Sequence, residues 1–392
     1  MALLGSICTI FVWQKLGCVR KFSARTNLNA MSSIHFSASR NDQLLFAQLR
    51  RKVDKLINQE DHRFLFLIKV KALSLVAAYF ILYFISLFFV TNHLIHILCY
   101  VMMGVVVVPI FLTVVHEAVH NNLFQTKGLN RYILYIFDIL GANSFIWERR
   151  HKLLHHSFQN IAGWDSDIEQ SNMMRIYPHD RRKKFQRFQH LYMWVLYPLY
   201  LVNWVFVRDF KDYFSKKQII NKVCHIPRRE YLKLILFKAF FLCYMVVIPV
   251  LTGKQIGTTI LSMFAMIVTA GIFALIILLT PHANVRSSFP RPDNSGRIQD
   301  SWLQHQFATT NDVYLDNWFS RNLLANFNLH LAHHLFPWIS HLHAPKVTGL
   351  IIDFCKDNGF EYRSYSLWIA LKYHYDLVKQ NALVDAIFEE DM

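Results

Sequence analysis

Four apolar runs constrain the fold of this chain more than any other feature of its sequence. They cover residues 70–90, 95–115, 232–252 and 257–280. At a rise of about 1.5 Å per residue, a helix of this length crosses the roughly 30 Å hydrocarbon core of a bilayer. A hydrophobic fraction of 54% and a mean hydropathy of +0.22 agree with lipid as the solvent. We therefore expect an all-α integral membrane protein.

The four runs pair into two hairpins. Only residues 91–94 separate the first two runs, and only residues 253–256 separate the last two. The rest of the chain must then lie on one side of the bilayer. That side carries the basic residues Arg50, Arg51, Lys52, Lys55, Arg181, Arg182, Lys183, Lys184, Arg286 and Arg291. Because basic loops are retained inside, we expect this side to be cytoplasmic, in the endoplasmic reticulum or a bacterial inner membrane.

Two shorter apolar segments, residues 132–147 and 191–207, lie between the hairpins. The second is interrupted by Pro198 and is rich in Tyr and Trp, a composition suited to the headgroup boundary. A lone fifth span there would put the later histidine motifs on the opposite side from the earlier ones. We therefore place this segment in the membrane interface.

The charge of the chain does not indicate a nucleic-acid partner. The formal net charge is +16, but no nucleic-acid-binding motif accompanies the basic residues, which flank the apolar runs. Anionic lipid headgroups explain them better. The six cysteines are scattered without a CxxC pair, which favours a reducing compartment.

The two ends of the chain differ in composition from the middle. The first 41 residues contain no Asp or Glu, so we interpret residues 1–43 as an N-terminal arm or a targeting segment. We assign residues 44–360 to one membrane domain. Residues 361–392 are interpreted as a C-terminal cytoplasmic tail whose acidic end, residues 389–391, is solvated.

Three histidine clusters lie at predicted membrane boundaries on the same side. They are the first box, His116-Glu-Ala-Val-His120; the second box, His151-Lys-Leu-Leu-His155-His156; and the third box, His330-Leu-Ala-His333-His334. Helical residues four apart share a face, so we expect the two histidines of the first box to point one way, and likewise His151 and His155. We expect the three histidines of the third box to converge. Eight imidazoles exceed what one metal ion needs.

The ligand type narrows the chemistry. HEAVH also matches a zinc protease motif with Glu117 as general base, but that alternative leaves six histidines idle. Many imidazole ligands suit iron, zinc or copper. Eight or nine histidines are a suitable number of ligands for two iron ions. A di-iron centre uses oxygen to remove hydrogen from an unactivated C–H bond. A metal transporter should instead carry its ligands near the bilayer midplane, where these runs have almost no histidine.

The boxes resemble those of the membrane fatty acid desaturases, over about residues 44–360. WERRHKLLHHSFQNIAGWDSDIE is similar to the second box of linoleoyl-CoA and front-end desaturases. HLAHHLFPWISHLHAPKV resembles the third box of omega-6 acyl-lipid enzymes, whereas front-end enzymes usually have Gln in place of His330. The resemblance implies oxygen-dependent desaturation of a fatty acyl chain on CoA or a lipid. A hydroxylase, a ketolase or a sphingolipid desaturase on the same scaffold is the alternative.

The resemblance also implies the ligand set and the arrangement of the domain. The eight box histidines would bind two iron ions in a helical cytoplasmic cap above an acyl tunnel. Related stearoyl-CoA desaturases have a ninth histidine near the end of the fourth span, where this chain has His282. His305, in WLQHQFATTND, is the competing candidate.

Several neighbouring residues are candidates for supporting roles. The carboxylates and amide that can orient imidazoles through the second ring nitrogen are Glu117, Asp165, Asp167 and Asn328. Solvated loop positions are the alternative for the two aspartates. We interpret His341 and His343 as structural. Trp147 and Trp164 flank the second box either as tunnel walls or as boundary anchors.

The electron donor is expected to be a separate protein. Many front-end desaturases contain a fused cytochrome b5 domain marked by His-Pro-Gly-Gly, and this sequence has no such stretch. A basic face can dock an acidic carrier, because complementary charge raises encounter rates. We expect a cytochrome b5-type protein, or a ferredoxin with its reductase.

Overall fold

The computed structural model describes residues 34–58, 63–169 and 171–384. Residues 1–33 and the acidic end at 389–391 lie outside the described residues, and so do the expectations that concern them. Within the described residues, four helices are long and apolar enough to cross a bilayer. The prediction of four spanning helices in two hairpins is therefore confirmed.

The spans begin and end close to the predicted positions. Span 1 is Arg63–Phe88, and span 2 is His93–Ile110 continued by a π-helical turn at Phe111–Val115 and by His116–Val119. Span 3 is Arg228–Leu242, continued by a π-helical turn at Cys243–Val247 and by Ile248–Leu251, and span 4 is Ile256–Leu278. The Asn92 side chain caps the start of span 2 by accepting hydrogen bonds from the backbone NH groups of Leu94 and Ile95.

Spans 2 and 4 pack against each other at a glycine. A Cβ atom on Gly104 would lie 2.4 Å from the carbonyl oxygen of Met266, so only glycine allows the two backbones to come this close. Buried hydroxyl groups join other spans. The Tyr79 and Tyr244 hydroxyls lie 3.0 Å apart, and the Tyr83 hydroxyl donates to the Tyr244 carbonyl at 2.6 Å. These contacts hold span 3 against span 1.

The region between the hairpins consists of short helices. They are Lys127–Ile133, Tyr135–Ile139, Ser144–Arg149, the π-helical turn Arg150–His155, the 3₁₀ helix Lys184–Phe188, Gln189–Leu196, Tyr200–Asn203, the π-helical turn Trp204–Arg208, Asp209–Phe214 and Ile219–Val223. The chain bends by 93° between 184–196 and 200–223. Pro198 lies at this bend, where its carbonyl oxygen would be 2.8 Å from a Cβ atom on Gly271 of span 4. The bent segment therefore packs against span 4.

A helical cap covers one end of the bundle. Its helices are Arg40–Asn58, Trp302–Thr309, Trp318–Asn322, His330–Leu335, the 3₁₀ helix His341–His343, Ala344–Asn358 and Leu367–Leu383. Two short parallel strand pairs tie distant parts of the cap together, His35–Phe36 with Arg297–Ile298 and Asp312–Tyr314 with Ser364–Ser366. The strand Ser364–Ser366 and the helix after it lie within the predicted C-terminal tail. This part of the tail is folded onto the cap.

Candidate metal centre

The first box lies where span 2 changes its helical winding. The backbone NH of His116 bonds to the carbonyl of Phe111, five residues earlier, which is the pattern of a π turn. The ring centroids of His116 and His120 are 5.0 Å apart. His116 is buried, and both rings lie at the end of the bundle that the cap covers.

The second box is also wound as a π-helical turn. The backbone NH of His156 bonds to the carbonyl of His151, so residues five apart rather than four apart are aligned. The Nε2 atoms of His151 and His156 are 3.1 Å apart. His155 instead groups with histidines of other segments. The rings of His151 and His155 stack at 5.6 Å between centroids, so they face one way as expected, but they belong to different groups.

The third box divides in a similar way. His330 and His334 lie four apart on an α-helix, with their Nε2 atoms 3.0 Å apart. His333 points elsewhere, and its Nε2 atom is 3.1 Å from that of His116. Adjacent residues differ by about 100° around a helix, which separates His333 from His334. The three rings lie near one another, with centroids 4.6–5.6 Å apart, but they are divided between two groups.

Two groups of four histidines result. The first group is His116, His120, His151 and His333, and the second group is His155, His282, His330 and His334. Within each group, one nitrogen per ring lies within 4.8 Å of all the others. His156 adjoins both groups, because its Nε2 atom is 3.0 Å from that of His333 and its ring centroid is 4.7 Å from that of His334. The site thus gathers histidines from all three boxes and from the end of span 4.

The structure separates the two candidates for the ninth histidine. His282 lies just beyond span 4, with its Nε2 atom 3.0 Å from that of His334 and 2.8 Å from that of His330. His305 is fully buried but belongs to neither group, and its ring packs against Phe36 at 4.8 Å between centroids. Burial lowers the pKa of His305 to about 3. His305 is therefore a neutral packing residue of the cap.

The second ring nitrogens of several histidines meet oxygen acceptors. The Nδ1 atom of His155 lies 3.0 Å from the Asp165 carboxylate, and that of His151 lies 3.4 Å from Asp167. The Nδ1 atom of His282 lies 3.0 Å from the carbonyl oxygen of Thr309. An acceptor at Nδ1 leaves the Nε2 lone pair free for a metal and fixes the orientation of the ring.

Two other candidates for this role bond elsewhere. One carboxylate oxygen of Glu117 lies 3.0 Å from both the backbone nitrogen and the Nδ1 atom of His341. Asn328 donates to the carbonyls of Val313 and Leu315, which fixes the backbone just before the third box. Within the part of the chain that the structure describes, neither residue makes a side-chain hydrogen bond to a box histidine. Both therefore stabilise the backbone around the histidines.

Sequence reasoning missed two glutamines behind the second group. The side chain of Gln159 is in hydrogen-bond contact with the Nδ1 atom of His334 and donates to Gln306 at 2.7 Å. Both glutamines are fully buried. Gln159 lies three residues after the second box, one turn along the chain, and this proximity was the only signal in the sequence.

A buried ion network supports the first group. Arg150 is fully buried, and its Nη1 atom lies 2.7 Å from the Asp212 carboxylate. Its Nε atom lies 3.8 Å from Asp167, the carboxylate that contacts His151. Burial by itself raises the pKa of Asp167, but the hydrogen bond with His151 and the charge of Arg150 outweigh burial and lower it. Asp167 is therefore a stable anion behind the imidazole ring.

The electrostatics favour neutral imidazoles. Burial lowers the pKa of His282 and of the three histidines of the third box well below the ordinary value, and neighbouring imidazoles lower it further. Burial also acts on His155, but the charge and hydrogen bond of Asp165 outweigh it and raise its pKa. Neutral imidazole is the form that binds a metal, so the donor set fits a cationic centre.

An apolar cavity lies beneath the first group. Its walls come from span 2, span 4 and the region between the hairpins, and include Val107, Phe111, Leu140, Trp204, Ala270 and Ile277. The Phe111 ring lies 6.4 Å from that of His116 and 5.0 Å from that of Trp147. Trp147 is buried and stacks on His151 at 5.0 Å, whereas Trp164 packs against Phe158. The cavity thus adjoins the histidines through an aromatic wall.

A bundle of membrane-spanning helices with clustered histidines at one end is the arrangement expected of a membrane-bound metalloenzyme. A family model described as fatty acid desaturase matches residues 91–366. The chain therefore belongs to the fatty acid desaturase family, and it is an oxidoreductase.

Several curated desaturases are similar to this chain. An acyl-lipid (8-3)-desaturase of Physcomitrium patens is 27% identical over 334 residues, covering 84% of this chain and 68% of that protein. An sn-1 linoleoyl-lipid 6-desaturase of Synechocystis is 31% identical over 252 residues, covering 64% of this chain and 70% of that protein. Another sn-1 linoleoyl-lipid 6-desaturase, from Arthrospira platensis, is 26% identical over 285 residues, covering 72% of this chain and 77% of that protein.

Proposed function

We propose that this enzyme desaturates the fatty acyl chain of a membrane lipid at a centre of two iron ions, with O2 as co-substrate. The nine gathered histidines are the proposed ligands. The first group and His156 would hold one ion, and the second group would hold the other. The names of the relatives, all acyl-lipid or linoleoyl-lipid enzymes, favour a lipid over CoA as the acyl carrier.

The spacing of three nitrogens carries this proposal. The Nε2 atoms of His282, His330 and His334 form a triangle with edges of 3.0, 2.8 and 3.0 Å. Around an ion with metal–nitrogen bonds of about 2.1 Å, adjacent octahedral ligands are about 3.0 Å apart and tetrahedral ligands about 3.4 Å apart. The triangle therefore suits one face of an octahedral ion better than a tetrahedral zinc site. Octahedral coordination with open positions is typical of iron oxygenases.

When bound, two irons would activate O2, which is the oxidant that removes hydrogen from an unactivated C–H bond. The protein residues keep this centre in place. Asp165 and Asp167 each hold the back of one ligand ring, and both carboxylates stabilise positive charge on the metal side. Trp147 and Phe111 pack between the histidines and the cavity, and their apolar rings would keep polar groups away from the acyl chain.

The apolar cavity is the proposed acyl site. A saturated chain offers no polar group to recognise, so shape and depth must decide which carbon atoms approach the centre. The cavity supports this role, because its walls, from spans 2 and 4 and the region between the hairpins, are apolar. Where the acyl chain stops in the cavity would decide between desaturation and hydroxylation at a neighbouring carbon.

The cap is proposed to face the cytoplasm, where a separate electron carrier reaches it. The basic residues on the non-hairpin side support this orientation through the positive-inside rule. They also suit an acidic cytochrome b5-type protein or a ferredoxin.

Expression of the enzyme in a host that lacks polyunsaturated lipids tests the function. Lipid profiling should reveal acyl chains with one additional double bond, bound to glycerolipids before any appear on CoA. An acyl chain with an added hydroxyl group would favour the hydroxylase alternative. Elemental analysis of the active, purified enzyme should give two irons per chain, and one zinc without iron would contradict the di-iron centre.

A further inference from the structure

Four large aromatic residues stand exposed around the histidine end of span 4. They are Trp194, Tyr314, Trp318 and Trp368, with exposed fractions of 65%, 72%, 70% and 79%. None of them belongs to the four straight spans described above. Exposed large aromatics on a soluble surface are unusual when several occur together, whereas Trp and Tyr are enriched where a membrane protein meets the headgroups. The depth of each residue relative to span 4 therefore indicates whether water or lipid headgroups surround its side chain.

Contacts with span 4 fix the depth of Trp194. The helix Gln189–Leu196 ends two residues before Pro198, whose carbonyl touches Gly271. Gly271 lies seven residues before Leu278, the last residue of span 4, which is about 10 Å along the helix axis. A span of this length has its final turns at the boundary of the hydrocarbon core. Pro198 therefore lies about 10 Å inside the end of span 4. Trp194, one turn earlier in the chain, stacks on Tyr375, whose neighbour His374 contacts Ala283 beyond that end.

The helix Trp318–Asn322 lies at a similar depth on another side of the bundle. The ring of Phe319 packs on that of Phe273 of span 4 at 5.6 Å between centroids. On the same helix, the carbonyl oxygen of Arg321 accepts a hydrogen bond at 3.1 Å from Lys71, near the start of span 1. Trp318 is therefore exposed beside the ends of two spans.

The C-terminal helix is attached at the same level. The Nδ1 atom of His374 lies 2.5 Å from the carbonyl oxygen of Ala283, five residues beyond the end of span 4. Its Nε2 atom lies 2.6 Å from the Tyr197 hydroxyl, and Tyr375 stacks on Trp194. The strand before this helix pairs Ser366 with Tyr314, which brings Trp368 toward Tyr314.

We propose that these four aromatics form a membrane-contact belt, and that the C-terminal helix Leu367–Leu383 lies in the headgroup layer of the bilayer. Basic residues beside the belt are suited to contact with lipid headgroups. Lys184 and Arg187 are exposed beside the helix of Trp194, where they can pair with lipid phosphates. Lys372 is also exposed but pairs with Asp376 on its own helix. The cap is thus held at a fixed height over the membrane by residues that are far from the spans in the sequence.

Photo-crosslinking of the full-length enzyme in nanodiscs tests the belt. The crosslinking residue p-benzoylphenylalanine would replace Trp368 in one variant, Trp318 in a second and Lys356 in a third. Lys356 is the matched control, because its side chain is 71% exposed on a cap helix with a charged surface. The nanodiscs would contain phosphatidylcholine with phosphatidylglycerol, and mass spectrometry would count lipid adducts.

Positions 368 and 318 should each give several-fold more lipid adduct than position 356. The two belt positions lie on separate helices. If one variant misfolds, the other variant still tests the proposal. Lipid adducts that are no more frequent at both belt positions than at position 356 would overturn the proposal. Adducts to a second copy of the chain would also overturn it, because the belt would then be a subunit contact.

Discussion

The Gln159 side chain is in hydrogen-bond contact with the Nδ1 atom of His334, on the side of the ring opposite the other histidines. If Nε2 of His334 binds a metal, Nδ1 keeps its proton. The amide nitrogen of Gln159, which contacts Nδ1 here, cannot accept that proton, so the amides of Gln159 and Gln306 would turn over together and the oxygen of Gln159 would accept it. The strength of that hydrogen bond then controls how much electron density the imidazole donates. Gln159 therefore adjusts the electronic properties of one ligand without touching the metal.

Gln159→Glu and Gln159→Leu should shift the reduction potential of the iron-loaded enzyme in opposite directions. A carboxylate acceptor makes the imidazole a stronger donor and lowers the potential, whereas leucine removes the acceptor and raises it. Loss of the acceptor should also weaken iron binding by about 10- to 100-fold. Potentiometric titration and iron-binding assays measure both effects.

Gln189→Leu is the control for this pair of variants. Gln189 is equally buried, and its amide bonds to the carbonyls of Arg175 and Val378. It should lose stability without changing the potential. If both Gln159 variants shift the potential in the same direction, general disturbance of the cap explains the result and the hydrogen bond does not.

His282→Ala should remove iron from the second group, because His282 supplies one corner of the Nε2 triangle. Iron content should fall to about half that of the unaltered enzyme, while the first group keeps its ion. His305→Ala should keep its full iron content, because His305 lies outside both groups. Elemental analysis of both purified variants decides the matter, and the reverse pattern would mean that the two histidines exchange places in the loaded enzyme.

Asp212→Asn should destabilise the protein by about 3–5 kcal/mol. The change leaves the fully buried Arg150 without its closest anionic partner, and an uncompensated buried charge is costly. Asp316→Asn is the control, because Asp316 pairs with Arg321 on the surface, and such pairs contribute about 1 kcal/mol or less. Thermal unfolding in detergent compares the variants, and equal losses would show that the Arg150 network is not a stabilising element.

Gly104→Ala should lower the stability of the bundle by about 1–3 kcal/mol, the usual cost of forcing an extra methyl group into a packed interior. The new Cβ atom would meet the backbone of Met266, which cannot rotate away as a side chain can. Gly257→Ala, in span 4, is the matched control because nothing lies within 4 Å of its Cβ position. Thermal melting of both variants should separate them, and a neutral Gly104→Ala would mean that the spans adjust freely.

His374 should make the attachment of the C-terminal helix sensitive to acid. Burial lowers the pKa of His374 to about 4, so the folded protein keeps this ring neutral when the unfolded chain protonates it. The stability is therefore full above about pH 6.5 and falls as pH decreases toward 4, by roughly 3 kcal/mol in total. His374→Gln should flatten this part of the profile of melting temperature against pH. An unchanged slope in the variant would show that another group titrates.

The hydropathy pattern predicted the membrane part of the fold correctly. Apolar runs of spanning length and two short linkers leave few alternatives, so the ends of each span were placed within several residues. The cap was harder, because its elements depend on partners far away in the chain. Nothing near Phe36 indicates that its strand pairs with Ile298, and nothing near Ser366 indicates Tyr314.

Histidine spacing predicted which segments meet, but not how the rings are shared. Regular helical periodicity was the natural assumption for residues 151–156, and the π turn changes that periodicity by one residue. Buried partners such as Gln159 and Asp212 were also hidden. Their side chains are ordinary surface types, and only the fold brings them behind a ligand.

The shared use of neighbouring histidines means that the two halves of the centre cannot move independently. In the second box, His151 and His155 belong to different groups, and in the third box the adjacent His333 and His334 do the same. A small rotation of either helix about its axis would move one ligand of each group at once. The positions of the two groups are therefore mechanically coupled. A distortion of one group is transmitted to the other within a single helical turn.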